Sequence, residues 1–164
     1  MKPMPEKIDQ KVRELKKQGD EISMKENYLL AAKKYKEALD VLPQPISQWK
    51  YTFILLLQLA DCYFYNAKFN NSTGGGYQEA LDVYQQIMQI EGAVGKASFH
   101  SRIGQIRYEL GHFEKAKDEL LRAYLIKGMD EFSYMDDSKY FELISPVIED
   151  VSYQNNINNS NYKF

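Results

Sequence analysis

The segment from Gly19 to Pro43, GDEISMKENYLLAAKKYKEALDVLP, decides the fold. Gly19 is followed twelve residues on by Ala31, then by Tyr35 and Ala38, and Pro43 closes the stretch. Ala31, Ala32, Tyr35, Ala38, Leu39 and Leu42 recur in steps of three and four, the spacing of one helical face. Proline lacks the N–H and the backbone freedom that a helix interior needs, so the helix over 28–42 is predicted to stop at Pro43. Upstream, Ile8, Val12, Leu15, Gly19 and Ile22 share one face over about 6–25, with Pro5 suited to a first helical turn. The result is a helical hairpin whose first helix carries a glycine where the second carries small alanines.

The same spacing returns twice. Gly104 is followed twelve residues later by Ala116, then by Leu120 and Ala123, and Gly128 takes the place of Pro43. Ala60 is followed by Ala80, Tyr84 and Ile87 once the eight residues 69–76, FNNSTGGG, are set aside as an insertion in the turn. Helices are expected over 46–67, apolar on most faces and therefore packed on both sides, and over 77–90, 97–110 and 113–126. A last helix over 138–151 carries Tyr140, Phe141, Ile144, Val147 and Ile148, with Ser138 as N-cap and Pro146 as a kink. The asparagine-rich stretch 152–164 has no periodic apolar face and is expected to be disordered.

This pattern resembles the tetratricopeptide repeat (TPR) family. Its first-helix signature reads Leu15, Gln18, Gly19, Ile22, then Leu56, Leu59, Ala60, Tyr63, then His100, Ile103, Gly104, Arg107. Tyr28, Tyr77 and Phe113 stand three residues before Ala31, Ala80 and Ala116. The resemblance implies an all-α, TPR-like right-handed superhelix of three helix-turn-helix hairpins, about 12–43, 53–92 and 97–128, plus a C-terminal capping helix at about 138–151. All would lie in a single domain over 6–151. It further implies a concave groove that binds a partner protein or peptide. By position, that groove is lined by Lys16, Asp20 and Ser23, by Asp61, Phe64 and Tyr65, and by Ser101, Arg102, Gln105, Tyr108 and Glu109. Family members that hold the C-terminal carboxylate of heat-shock chaperones use two lysines, two asparagines and an arginine. Lys16 and Arg102 match that clamp, whereas Asp20, Gln58 and Ser98 occupy its other places, and Asp20 would repel a carboxylate. The run 102–111 also resembles small bacterial TPR-containing proteins, some thought to be immunity proteins against polymorphic toxins, and this gives an alternative function.

Composition narrows the choice. Lys and Arg number 21 against 23 Asp and Glu, so no basic field draws nucleic acid. The strongly apolar run 53–57 is far short of the roughly 20 residues of a membrane-spanning helix. A charged N-terminal segment stands where a secretory signal would be apolar, so a cytoplasmic location is expected. Cys62 is the only cysteine and His100 and His112 the only histidines, which leaves no intrachain disulfide, no thiolate zinc site and little material for a nucleophilic triad. Cys62 is expected in the core, His100 as a packing residue, and His112 in a turn, bonded to a backbone carbonyl.

The acidic group Asp130, Glu131, Asp136 and Asp137 lacks calcium-loop spacing and is expected to be solvated or helix-capping. Gly74–Gly76 lacks the Lys-Ser/Thr of a phosphate loop, and the Asn70 and Asn158 triplets are expected to be flexible polar segments. The reading is a non-enzymatic protein–protein interaction module, a monomer or weak dimer, with no metal, cofactor or membrane. An unrecognised enzyme site in the groove is the second alternative.

Overall fold

The computed structural model describes residues 4–70 and 76–150, so the expected disorder of 152–164 and most of the 69–76 insertion lie outside the described residues. All regular structure among the described residues is helical. The chain divides into two compact units, Met1–Val94 and Gly95–Phe164.

The first unit holds α1 (Glu6–Ser23), α2 (Tyr28–Val41), α3 (Lys50–Asn70) and α4 (Tyr77–Ile87). Two hairpins result, and α2 also packs on α3. The turn between α1 and α2 needs one residue in the left-handed region; Glu26 supplies it at φ 59°, and the next N–H, that of Asn27, returns to the Ile22 carbonyl. The Asn27 side chain then caps α2 by accepting from the Leu30 N–H at 3.4 Å. Helix α3 begins later than its apolar run suggests. Between Pro43 and Lys50 the chain makes a 3₁₀ turn, Ile46–Gln48, held by the Trp49 indole donating to the Pro43 carbonyl at 2.6 Å and by the Thr52 hydroxyl donating to the Ile46 carbonyl.

Glycine at position 19 is a packing requirement. A Cβ there would lie 2.6 Å from the Tyr35 ring, so the ring of α2 rests directly on the α1 backbone. Ala60 takes the equivalent place in α3 opposite Tyr84, and both rings are buried. Val12, Ala31, Leu55, Ala60, Phe64, Ala80 and Ile87 complete the buried core of this unit.

The second unit holds α5 (Ala97–Glu109), α6 (Phe113–Lys127), α7 (Met129–Phe132) and α8 (Lys139–Glu142). Its hairpin turn repeats the geometry of the first, with Gly111 at φ 76° and the His112 N–H returning to the Arg107 carbonyl at 2.8 Å. A Cβ on Gly104 would lie 2.6 Å from Leu120 Cγ, the counterpart of the Gly19–Tyr35 contact. Beyond Gly128, Phe132, Tyr140 and Ile144 join Leu120 in one buried cluster, flanked by Tyr108, Leu121 and Tyr124. The helix expected over 138–151 with a kink at Pro146 is interrupted outright: α8 ends at Glu142 and helical structure resumes over 145–150. Pro146 causes the break. It has no N–H to give the Glu142 carbonyl, which takes the Ser145 hydroxyl at 3.4 Å, while Ile144 and Val147 bond back only three residues. Helix α7, with buried Phe132, has no counterpart in the sequence reading.

Candidate functional site: a carboxylate and tyrosine cleft in the first unit

Asp20 follows Gly19, so its side chain emerges beside the Tyr35 ring that crosses the glycine. The Tyr35 hydroxyl donates to Asp20 Oδ1 at 2.8 Å and the Gln58 amide to the same oxygen at 2.7 Å, while Lys16 Nζ sits 2.7 Å from Oδ2. One carboxylate thereby joins α1, α2 and α3. The second hairpin repeats half of this arrangement: Asp61 follows Ala60 and accepts from the Tyr84 hydroxyl at 2.7 Å. Hydrogen bonds to an ionised group of this kind are among the stronger ones.

Asp20 and Asp61 line one open cleft of about 470 Å³. Tyr35, Gln58 and Cys62 contribute its more buried lining, and Ser23, Met24, Tyr28 and Tyr65 complete it. The rings of Tyr28 and Tyr65 lie 5.7 Å apart at 35°, and Phe69 stacks on Tyr65 at 5.9 Å with the planes 6° apart. Phe64 supports Tyr65 from behind, edge-on at 5.4 Å. Met24 is 83% exposed and Phe69 58%, so the aromatic row reaches solvent. Among the described residues Gln58 Oε1 is a buried carbonyl oxygen with no hydrogen-bond partner, while the amide nitrogen of the same side chain donates to Asp20.

Burial holds the Tyr35 hydroxyl well above the ordinary tyrosine range, and its bond to Asp20 adds to the effect. Burial likewise raises Tyr28, with the nearby Glu26 charge contributing. The Cys62 thiol is pushed up to about 12 by burial, despite a hydrogen bond with Ser23. It is therefore a protonated wall of the cleft and not a nucleophile.

Of the positions expected to line a groove, Asp20, Ser23, Asp61 and Tyr65 are gathered here, with Lys16 bonded to Asp20. Phe64 is corrected: it is 1% exposed and belongs to the core, because its ring faces Tyr77 and the back of Tyr65. In the second unit the C-terminal segment uses the expected positions itself. Ser101 is buried and donates to Glu131 Oε1 at 2.7 Å. Glu109 accepts from the Tyr140 hydroxyl at 2.7 Å and pairs with Lys139 at 2.8 Å, and Tyr108 meets the Tyr140 ring at 5.4 Å. Gln105 is buried and accepts from Arg102, which remains part-exposed. Ser101 and Gln105 are thus corrected to interior residues, while the part-exposed Tyr108 and Glu109 also contact α8.

Met24, Tyr28, Gln58 and Cys62 were not read as lining from sequence. Tyr28 carried a signal, since it opens α2 one turn before Ala31, and so did Gln58, which stands at a clamp position of the resembled family; Met24 carried none, because its role depends on the turn that follows α1. His100 is buried, as a packing residue should be, yet its Nδ1 lies 2.6 Å from Glu119, a partnership its spacing did not announce. His112 makes its turn bond through the backbone N–H. In the acidic group, Glu131 is buried against Ser101 and Lys127, and Asp137 accepts from the Lys139 N–H at 3.1 Å. A second cleft of about 350 Å³ lies on the other side of α3, between α2 and α4, with Leu39, Tyr63 and Val83 in its lining. Among the described residues no group of three or more His, Cys, Asp or Glu could hold a metal ion, and no helix is long and apolar enough to cross a membrane.

No protein-family model and no curated protein matches the chain. Solved structures do. The chain is similar to the first TPR domain of Spaghetti (RPAP3) bound to the HSP90 peptide SRMEEVD, at 18% identity and TM-score 0.57, over 87% of this chain and 94% of that one. It is similar to the C-terminal TPR-containing domain of a Plasmodium falciparum FK506-binding protein, at 18% identity and TM-score 0.55, over 94% and 97% of the two chains. The Sgt2 TPR domain from Aspergillus fumigatus gives 16% identity and TM-score 0.53 over 94% and 84%. The fold is therefore the all-α, TPR-like array of helical hairpins.

Proposed function

We propose that the chain is a non-enzymatic protein-interaction module that receives a peptide segment of a partner protein in the cleft of its first unit. The observation that carries this reading is the cleft itself: a solvent-reached row of aromatic side chains beside fixed hydrogen-bonding groups, on a rigid helical scaffold. Tyrosines of this kind supply large contact area at small entropic cost, and they recur among residues that dominate binding energy. The HSP90 peptide held by the Spaghetti TPR domain supports the peptide reading, though not the identity of the ligand. In the second unit Arg102 is kept as a partner contact. A toxin partner draws no support from the matched structures. We take the protein to act in the cytoplasm as a monomer or weak dimer.

Selection of random twelve-residue peptides on the immobilised full chain tests the reading. Peptides should be enriched whose binding is lost with Tyr65→Ala and with Met24→Arg, while the helical circular dichroism of both variants stays intact. Met24 is exposed enough for the second change to leave the fold alone. No enrichment, or binding indifferent to both substitutions, would remove the cleft from the account.

A further inference from the structure

We propose that the seam between α2 and α4 is a second docking surface, one that takes a basic amphipathic helix of a partner protein. The proposal does not depend on the cleft beside Asp20: the two lie on opposite sides of α3 and share no lining residue.

The seam exists because α2 and α4 each pack on α3 and scarcely on one another. Leu56, Leu59 and Tyr63 stand at i, i+3 and i+7 on α3 and form one stripe along the floor, with Leu39 of α2 and Val83 of α4 as walls. Ile46 joins them from the 3₁₀ turn. Ile46 and Tyr63 are only half-buried, so apolar surface here still meets water. A volume of about 350 Å³ is at the lower end for a ligand pocket, which suits an anchoring side chain of a larger ligand.

Charge names the occupant. The rim carries three carboxylates, Asp40 on α2 and Glu79 and Asp82 on α4, against the one ammonium of Lys36, and all four side chains are exposed. Asp40 lies in the last turn of α2, where the helix dipole disfavours a negative charge and no basic residue of that turn offsets it. Among the described residues Asp40 has no hydrogen-bond or ion-pair partner, Lys36 one turn earlier included. Glu79 accepts from the Gly76 N–H with one oxygen at 2.8 Å, and Asp82 Oδ1 accepts from the Gln78 amide at 2.8 Å, which leaves Oδ2 over. Burial, with the Glu79 charge behind it, holds the Tyr63 hydroxyl above the ordinary tyrosine range, so the negative field extends into the floor. A lysine or arginine laid across the seam would meet uncompensated negative charge from both walls, and an acidic segment would be repelled. An apolar stripe edged by acid is the complement of a helix whose apolar face is flanked by basic residues.

The test closes the first cleft. Random twelve-residue peptides are selected on the immobilised full chain carrying Met24→Arg, and the tightest is labelled with fluorescein for anisotropy. Enriched peptides should combine a large apolar residue with arginine or lysine. Asp40→Lys together with Asp82→Lys, both at exposed positions, should weaken binding at least about tenfold, equivalent to 1.4 kcal/mol. Glu114→Lys together with Asp118→Lys, the same change of charge at exposed positions of α6, should leave it nearly unchanged. Replacing the peptide's arginines by citrulline, or acetylating its lysines, probes the same contact without altering the protein and should also weaken binding about tenfold. Enrichment of acidic or uncharged peptides, an equal loss from both pairs of reversals, or affinity indifferent to Asp40→Lys with Asp82→Lys or to the neutral replacements would overturn the basic ligand. No enrichment at all would remove the seam as a docking surface. Each of these results leaves the cleft beside Asp20 to its own test, because Met24→Arg takes that cleft out of the selection.

Discussion

The first two hairpins and the third are built on one spacing and finish it differently. In the first unit each small residue of the opening helix is followed by an aspartate, and each partner helix brings a tyrosine whose hydroxyl reaches that carboxylate, Tyr35 to Asp20 and Tyr84 to Asp61. In the third hairpin the corresponding residues are Gln105 and Leu120, both buried, and no such bond can form. The opening helix α5 instead gives Ser101, Tyr108 and Glu109 to the segment that follows α6. The same helical face thus lines a cleft in the first unit and is met by the chain's own C-terminal side chains in the second. Repeat spacing sets backbone approach; the residue beside the small one sets whether the face is polar and open or apolar and covered.

Removing everything after Gly128 should break the covered region most severely. Phe132, Tyr140 and Ile144 leave together, and Leu120, fully buried in the intact chain, loses its neighbours. A solenoid end stripped of its cap exposes core. Calorimetry should show loss of cooperative melting for the second unit, or aggregation; an unaltered melting profile would mean that the segment covers nothing of consequence.

Substituting the close-approach glycines sharpens the comparison. Gly104→Ala and Gly19→Ala each drive a Cβ to 2.6 Å from a buried side chain. Overpacking of this kind costs about 1–3 kcal/mol, offset by about 1 kcal/mol of helix propensity. The cost should be larger at Gly104, where the added atom also comes within 3.3 Å of the Ala116 carbonyl and meets Leu120 near its root. Ala60 beside Tyr84 shows that a tyrosine hairpin can seat a methyl group here, so urea melts should rank Gly19→Ala as the milder change.

Tyr35→Phe and Tyr84→Phe remove only a hydroxyl from each hairpin and should cost about 1 kcal/mol apiece. Tyr35→Phe leaves Asp20 with Lys16 and Gln58, so its carboxylate stays satisfied. Equal stability of Tyr35→Phe and the parent would show that the shared carboxylate does not join the three helices.

The smallest effect, absent at neutral pH, is alkaline. Burial raises Cys62 to about 12 from an ordinary 9.0 and raises Tyr35 above its ordinary 10.0. The folded chain therefore keeps protons that the unfolded chain releases above about pH 9, and stability falls as pH rises from there. Cys62→Ala should flatten part of this fall. Identical alkaline slopes for the two proteins would place the effect elsewhere.

The hairpins were legible because small residues at fixed distances leave few alternatives to close helix packing. Gly19 with Ala31, Ala60 with Ala80 and Gly104 with Ala116 each mark a helix pair that the structure contains. That Asp20, Asp61 and Tyr65 share one face was legible for the same reason, since they lie one or five positions past a small residue. The interior placement of Phe64, Ser101 and Gln105 was not, because it depends on which neighbours arrive: Tyr77 in the first case and Glu131 in the second. Pro146 marked a kink in the last helix, and the structure goes further to a break before 145–150, where the missing Pro146 N–H outweighs the apolar spacing of Tyr140, Ile144 and Ile148.

Docking of a partner in the cleft beside Asp20 and Asp61 can be followed along the backbone. Titration of the uniformly ¹⁵N-labelled chain with the tightest selected peptide, read as amide chemical-shift changes residue by residue, tests it most directly. The largest shifts should fall over 20–28 and 58–65, with Leu39 and Val83 on the other side of α3 little affected. Shifts centred on Leu39, Tyr63 and Val83, or on α5 and α8, would contradict it.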